Sequence, residues 1–197
     1  MPNIFLNTDT LLKITMTQLK TLVVAILVIG ITATLVLAQK PKAEETGSSL
    51  SVKEVEDFVG YHNKVRKDVK VDGVKWSPTI AKYAQEWADH LATNGEFMHR
   101  PGEGKWAQKY GENIAINATI LKGAEAWYDE IKDYKAGTAI PEDFTDFKAG
   151  HYTQMVWKKT THIGAGSAIM QKGQFKGLVL IVCNYDPPGN FVGEKPY

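Results

Sequence analysis

A single cysteine, Cys183, stands among the 197 residues of the chain. It leaves no partner for an internal disulfide and excludes a CxxC metal knuckle. Charge of one sign is missing too. The formal net charge is +1, so no global field draws the chain to nucleic acid or acidic membranes. No G-x-S-x-G nucleophile elbow and no H-E-x-x-H metalloprotease helix occurs. There is no internal repeat, and no low-complexity tract beyond one short polar stretch. The remaining composition, 44% hydrophobic and 23% charged, is that of an ordinary globular protein. A chain of 197 residues suits one domain with a real core rather than two. Small secreted domains are often disulfide-dense; a body this large buries enough surface to do without disulfides.

The N-terminal forty residues differ in kind. Residues 21–38 (TLVVAILVIGITATLVLA) are uncharged and strongly apolar, with Lys13 and Lys20 ahead of them and small residues near Ala38. A basic flank, an apolar run and a small-residue cleavage site describe a secretory signal peptide over residues 1–38. The run is also near the minimum for a membrane span, so an uncleaved signal anchor is the alternative. Either way the rest of the chain is expected across a membrane from the cytosol, extracellular and touching the membrane only through this segment. Its removal takes Lys13, Lys20 and Asp9 with it and leaves a mature net charge near zero.

Residues 39–50 are polar, with Pro41 and Gly47, and read as a flexible linker. A domain is expected over residues 51–197. Ser51-Val52-Lys53-Glu54 is a capping-box pattern, and apolar residues at helical spacing extend a first helix over 52–67. Ser77-Pro78 opens a second helix and Asn94-Gly95 closes it. A third helix is predicted over 121–134, with Ala124, Trp127, Ile131 and Tyr134 on one stripe, and a short fourth over 151–158. The apolar runs 163–170 and 178–183, joined through Gly173, predict an antiparallel hairpin. Helices first and strands last argue an α+β fold.

Some polar residues invite bland readings. His62, on the apolar stripe of the first helix, reads as a satisfied core histidine. Trp76, Trp87, Trp127 and Trp157 read as core, and Trp106, in a polar loop, as an exposed contact. Cys183, at the end of an apolar strand, reads as a buried inert thiol. Asn117-Ala118-Thr119 is a glycosylation sequon that matters in a eukaryotic host.

Four motifs carry a family resemblance. Gly150-His151-Tyr152-Thr153-Gln154-Met155-Val156-Trp157 and Ile181-Val182-Cys183-Asn184-Tyr185-Asp186-Pro187-Pro188-Gly189-Asn190 resemble the two signature stretches of the CAP superfamily. That group comprises cysteine-rich secretory proteins, antigen 5 and plant pathogenesis-related-one proteins. His62-Asn63-Lys64-Val65-Arg66 resembles its first-helix motif, and Gly111-Glu112-Asn113-Ile114 its central one. The resemblance spans residues 52–197 and is nearest the defence-related plant members. It implies a three-layer α-β-α sandwich around a small antiparallel sheet (the SCP domain), with residues 114–116 as a place for a further strand. It implies a cleft holding His99, Glu112, Glu130 and His151, four residues that their spacing alone does not group. His99 and His151 are the implied metal ligands, for a divalent cation such as Zn2+, with Glu112 and Glu130 lining the cleft. The two acids are also the candidates for acid–base catalysis, although no activated nucleophile accompanies them. For all four the alternative is a polar cluster that holds the cleft walls.

The same resemblance implies a secreted, non-enzymatic binding module for a sterol or other lipid, acting as a monomer or weak dimer. A metal-dependent hydrolase is the rival. Residues 187–197 (PPGNFVGEKPY) also fit the P-x-G-N-x5-P-Y pattern of a peptide that plant members release as a defence signal. The alternative is a tail strapped over the domain.

Overall fold

The computed structural model describes residues 45–197. The expected signal peptide or anchor over residues 1–38 and residues 39–44 of the expected linker lie outside the described residues. The described end of that linker is packed. Thr46 and Ser48 are buried and Leu50 enters the core. The main chain of Ser49 donates to Gln85 Oε1 (3.0 Å), and Trp76 Nε1 donates to Thr46 O (2.8 Å).

Helix α1 (Val52–Asp68) begins at the capping box. Ser51 Oγ accepts the Glu54 amide at 3.2 Å, and Glu54 Oε2 accepts the Ser51 amide at 2.7 Å. Strand β1 is only Lys75–Trp76 and was not foreseen. Helix α2 (Pro78–Asn94) runs from Ser77 to a left-handed Gly95 (φ 77°) that closes onto Leu91 O. Strand β2 (Gly111–Asn117) contains the anticipated residues 114–116. Helix α3 (Ile120–Tyr128) is shorter than its stripe suggested, because residues Asp129–Asp133 tighten into a 3-10 turn. Helix α4 (Gly150–Met155) is short, and strands β3 (His162–Ile169) and β4 (Val179–Asp186) form the expected hairpin.

The sheet order is β1-β3-β4-β2. The β3–β4 and β4–β2 pairings are antiparallel, as expected, while the two-residue β1 joins β3 in parallel and makes the sheet mixed. Alternate residues of β4 face opposite layers. Ile181, Cys183 and Tyr185 pack with Phe58 of α1 and with Ala124 and Trp127 of α3. Leu180 and Val182 pack against Ala84, Trp87, Ala88 and Leu91 of α2. Burial on both faces explains why the strand reads as one continuous apolar run. Helix α2 lies directly on β3 because two glycines admit it. A Cβ on Gly164 would sit 2.1 Å from Ala81 N, and one on Gly166 would sit 2.5 Å from Gln85 Cα.

Arg66 ties α1 to the segment after α4. Its buried guanidinium donates to four carbonyls: Asp72 (2.7 Å), Met155 (2.9 Å), Trp157 (3.0 Å) and Thr160 (2.9 Å). Burial lowers its pKa to about 10, so it stays charged at neutral pH.

Candidate functional site

Glu112, second in β2, has a fully buried carboxylate. Its Oε1 accepts from His99 Nδ1 (2.9 Å) and from the Arg100 amide (3.1 Å). Its Oε2 accepts from Asn184 Nδ2 (3.3 Å), on the β4 residue paired with it in register. Arg100 Nε lies 3.9 Å from Oε2. The Arg100 guanidinium stacks 3.7 Å over the Tyr83 ring and donates through Nη2 to Tyr83 O (2.6 Å). Burial lowers its pKa, while Tyr83 and Glu112 oppose the shift.

The second half of the site is built on a helix end. Glu130 sits in the 3-10 turn, and its Oε1 accepts from His151 Nδ1 at 2.6 Å. Its Oε2 accepts the amides of His151 (2.8 Å) and Tyr152 (3.2 Å). The N-cap residue of α4, Ala149, has no side chain that can cap, and Glu130 fills that role from outside the helix. One carboxylate thus caps α4 and orients a ring.

Each histidine therefore donates Nδ1–H to an acceptor-only carboxylate. In the neutral ring the lone pair is then on Nε2, away from the acid. Both rings and both acids line one cavity of about 490 Å3, so the four residues named from the resemblance meet there. His99 and His151 remain 52% and 33% exposed at their side chains, whereas Glu112 and Glu130 fall to 0% and 23%. Phe144 and Phe147, edge to face at 5.4 Å, form an aromatic wall, and Gln108 and Lys148 add polar groups.

A hydrogen-bond chain supports the floor. Asn113 Nδ2 donates to His151 O (3.1 Å) and to Tyr185 Oη (3.1 Å). Tyr185 in turn donates to His62 Nε2 (3.0 Å), and His62 Nδ1 donates to Phe58 O (2.9 Å). His62 is the satisfied core histidine expected of it, and burial pushes its pKa down to about 4. Burial also drives the Cys183 thiol well above its ordinary value, as an inert thiol requires.

Pro188, Gly189 and Asn190 of the C-terminal tail also line the cavity. Asn190 Nδ2 donates to Gly150 O (2.8 Å), and its Oδ1 accepts from the Thr153 hydroxyl (2.7 Å). The amide of Gly189 donates to Gln154 Oε1 at 3.0 Å. Further along, Lys158 N donates to Pro196 O (2.7 Å), and the Tyr197 and Tyr152 hydroxyls lie 3.2 Å apart.

Sequence reasoning missed Arg100, Asn184 and the grip of Asn190. No pattern announces them, since each acts on a residue distant in the chain. Trp106 was expected as an exposed contact. It is instead half-buried against Trp87 (5.5 Å) and His90 (4.8 Å).

Among the described residues no group of three or more His, Cys, Asp or Glu side chains is arranged to hold a metal. The donor set fits a narrower arrangement: two imidazole Nε2 atoms as ligands, with each carboxylate behind a ring as its orienting partner. It does not fit a four-ligand cage, because both acids face Nδ1.

A three-layer α-β-α sandwich with paired imidazole–carboxylate dyads in one cleft defines the class. The profile of CAP, the cysteine-rich secretory protein family, matches residues 59–185, and the chain belongs to that family. Pathogenesis-related protein 1A of Nicotiana tabacum is 34% identical over 148 residues, which is 72% of this chain and 80% of that protein. The structure of BmVAL-1 has a TM-score of 0.62 at 25% identity and covers 77% of this chain and 84% of its own. Venom allergen-like protein 4 of Schistosoma mansoni has a TM-score of 0.55 at 27% identity, covering 75% and 95%.

Proposed function

We propose that this protein is a secreted, non-enzymatic binding module of the pathogenesis-related type, whose cleft holds a divalent cation such as Zn2+ through Nε2 of His99 and His151. One observation carries the reading: both rings give Nδ1–H to a carboxylate, which leaves the lone pair on Nε2, and both residues line the same cavity. That is how protein-bound imidazoles are held for metal. A bound cation would supply a fixed positive centre for an electron-rich group of a ligand. The leader pattern and the secretory family support an extracellular location. The Phe144–Phe147 wall supports an apolar ligand body, such as a lipid or sterol. The bonds along residues 187–197 support a strap rather than a peptide awaiting release.

One feature favours the hydrolase as a second reading. A carboxylate-oriented imidazole with a free Nε2 is also a general-base arrangement. Two side-chain nucleophiles near it are closed to this role: the Cys183 thiol is buried and protonated, and the Thr153 hydroxyl is engaged by Asn190.

The test is calorimetric titration of Zn2+ into the full chain and its His99→Ala and His151→Ala variants. We expect binding of a single ion, weakened at least tenfold in each variant. Unchanged affinity in either variant removes that ring from the site and sinks the reading. A sterol or fatty-acid titration showing no association removes the lipid. Peptide or ester hydrolysis that disappears in His151→Ala replaces the binding module with the hydrolase.

A further inference from the structure

We infer that Arg100 is the positioning residue of the His99 half of the cleft, holding Glu112 so that the His99 ring keeps Nδ1–H inward and Nε2 toward the cavity. The inference gives the proposed metal site a residue-level support, and it rests on that reading only for its biological purpose.

Arg100 has features that packing alone does not explain. Its side chain is 2% exposed. Arginine is seldom buried so deeply unless a partner requires the charge. Its Nε is buried and makes no hydrogen bond. An orphaned donor of this kind is costly. The nearest acid is Glu112 Oε2, at 3.9 Å from that same Nε. The rest of the guanidinium is held on its far side. The Tyr83 ring lies 3.7 Å away, with the Trp87 and Trp106 rings at 5.1 and 5.4 Å, and Nη2 bonds Tyr83 O. An apolar side chain of similar length would fill that aromatic box without an orphaned donor. A guanidinium there is explained by the carboxylate it faces.

The same residue meets Glu112 twice, once by a main-chain hydrogen bond and once by a side-chain charge 3.9 Å away. Its main-chain amide bonds Oε1, the oxygen that receives His99 Nδ1, and its side chain faces Oε2. With Asn184 also on Oε2, neither oxygen is free to rotate away from the ring. His99 itself is half-exposed, so little else fixes its orientation. Among the described residues no arginine faces Glu130 in the His151 half. There Glu130 is held by two helix amides, which gives an internal control.

The experiment reads ring tautomers by 15N NMR of the full chain without metal, at mildly alkaline pH, for wild type, Arg100→Met and Arg100→Lys. Lysine keeps the charge but lacks the planar fork that stacks on Tyr83 and bonds Tyr83 O, so it cannot hold the charge in the same place. It serves as the readable variant should methionine impair folding. We expect the Nδ1–H form at both rings in wild type. In the variants His99 alone should shift to a mixture, and Zn2+ affinity should fall about 10–100-fold. An unchanged His99 signal in both variants overturns the inference. So does an equal change at His99 and His151, which would mean general loosening. If wild type binds no Zn2+ while the variants scramble His99 alone, the positioning role stands and the metal reading fails.

Discussion

The two halves of the cleft present the same chemical group by unlike means. On the strand side, Glu112 is fully buried in β2 and held by a neighbouring strand, a main-chain amide and a buried arginine. On the helix side, Glu130 is partly exposed and held by the amides at the start of α4. The first support is non-local and rigid, because it is part of the sheet's register. The second is local to one helix end and depends on the tail that clamps the helix through Asn190. Equal geometry therefore conceals unequal stability.

Substitutions separate the halves. The largest effect is expected for Glu112→Ala, which leaves the Arg100 charge buried without its acid. Breaking such a pair costs about 3–5 kcal/mol. Urea denaturation should show a loss of that size, and a loss under about 1 kcal/mol would erase the distinction between the halves.

Next comes the histidine that binds nothing. His62 has both nitrogens engaged inside the core, and its folded pKa of about 4 lies below the ordinary 6.5. Between those values the unfolded chain takes up a proton that the folded chain refuses. The His62 contribution is complete above pH 6.5, declines as pH falls toward 4 and levels off below it. Its size is on the order of 3 kcal/mol. Denaturation curves across this range should slope in wild type and flatten in His62→Gln; equal slopes would contradict the closed histidine.

Asn190→Ala tests the helix side from behind. Two hydrogen bonds to α4 disappear, at a cost of about 1–2 kcal/mol. Limited proteolysis should then cut residues 187–197 faster than in wild type, and an unchanged rate would mean the tail is held elsewhere. The smallest effect is expected for Glu130→Ala, where the loss of a helix cap costs about 1 kcal/mol. His151 should lose its ring orientation while the fold persists. A destabilisation matching that of Glu112→Ala would show that both halves bear on the fold equally.

Much of the framework was legible because its signals are local. Ser51 with Glu54, Ser77 with Pro78, and Asn94 with Gly95 each mark a helix end within a few residues. The long apolar runs of β3 and β4 come from burial on both faces, which leaves a continuous pattern. Strand β1 was invisible because two residues carry no period. The third helix ends earlier than its pattern predicts because the spacing of Trp127, Ile131 and Tyr134 suits an α-helix, while the chain tightens at Asp129, where Glu130 reaches His151. The candidate site was named only through resemblance. Its residues come from β2, a 3-10 turn, a loop and α4, and neither the sheet register nor the tail clamp that unites them leaves a mark on sequence spacing.

The central claim is that two carboxylate-oriented imidazoles turn their remaining nitrogens onto one cleft where a single cation can join them. Anomalous diffraction at the zinc edge, from crystals of the full chain grown with Zn2+, tests it most directly. The account predicts one peak in the cleft, about 2.0–2.1 Å from Nε2 of both His99 and His151, with Glu112 and Glu130 still on Nδ1. A peak bonded to one ring alone, or to the carboxylates in place of the rings, would contradict it.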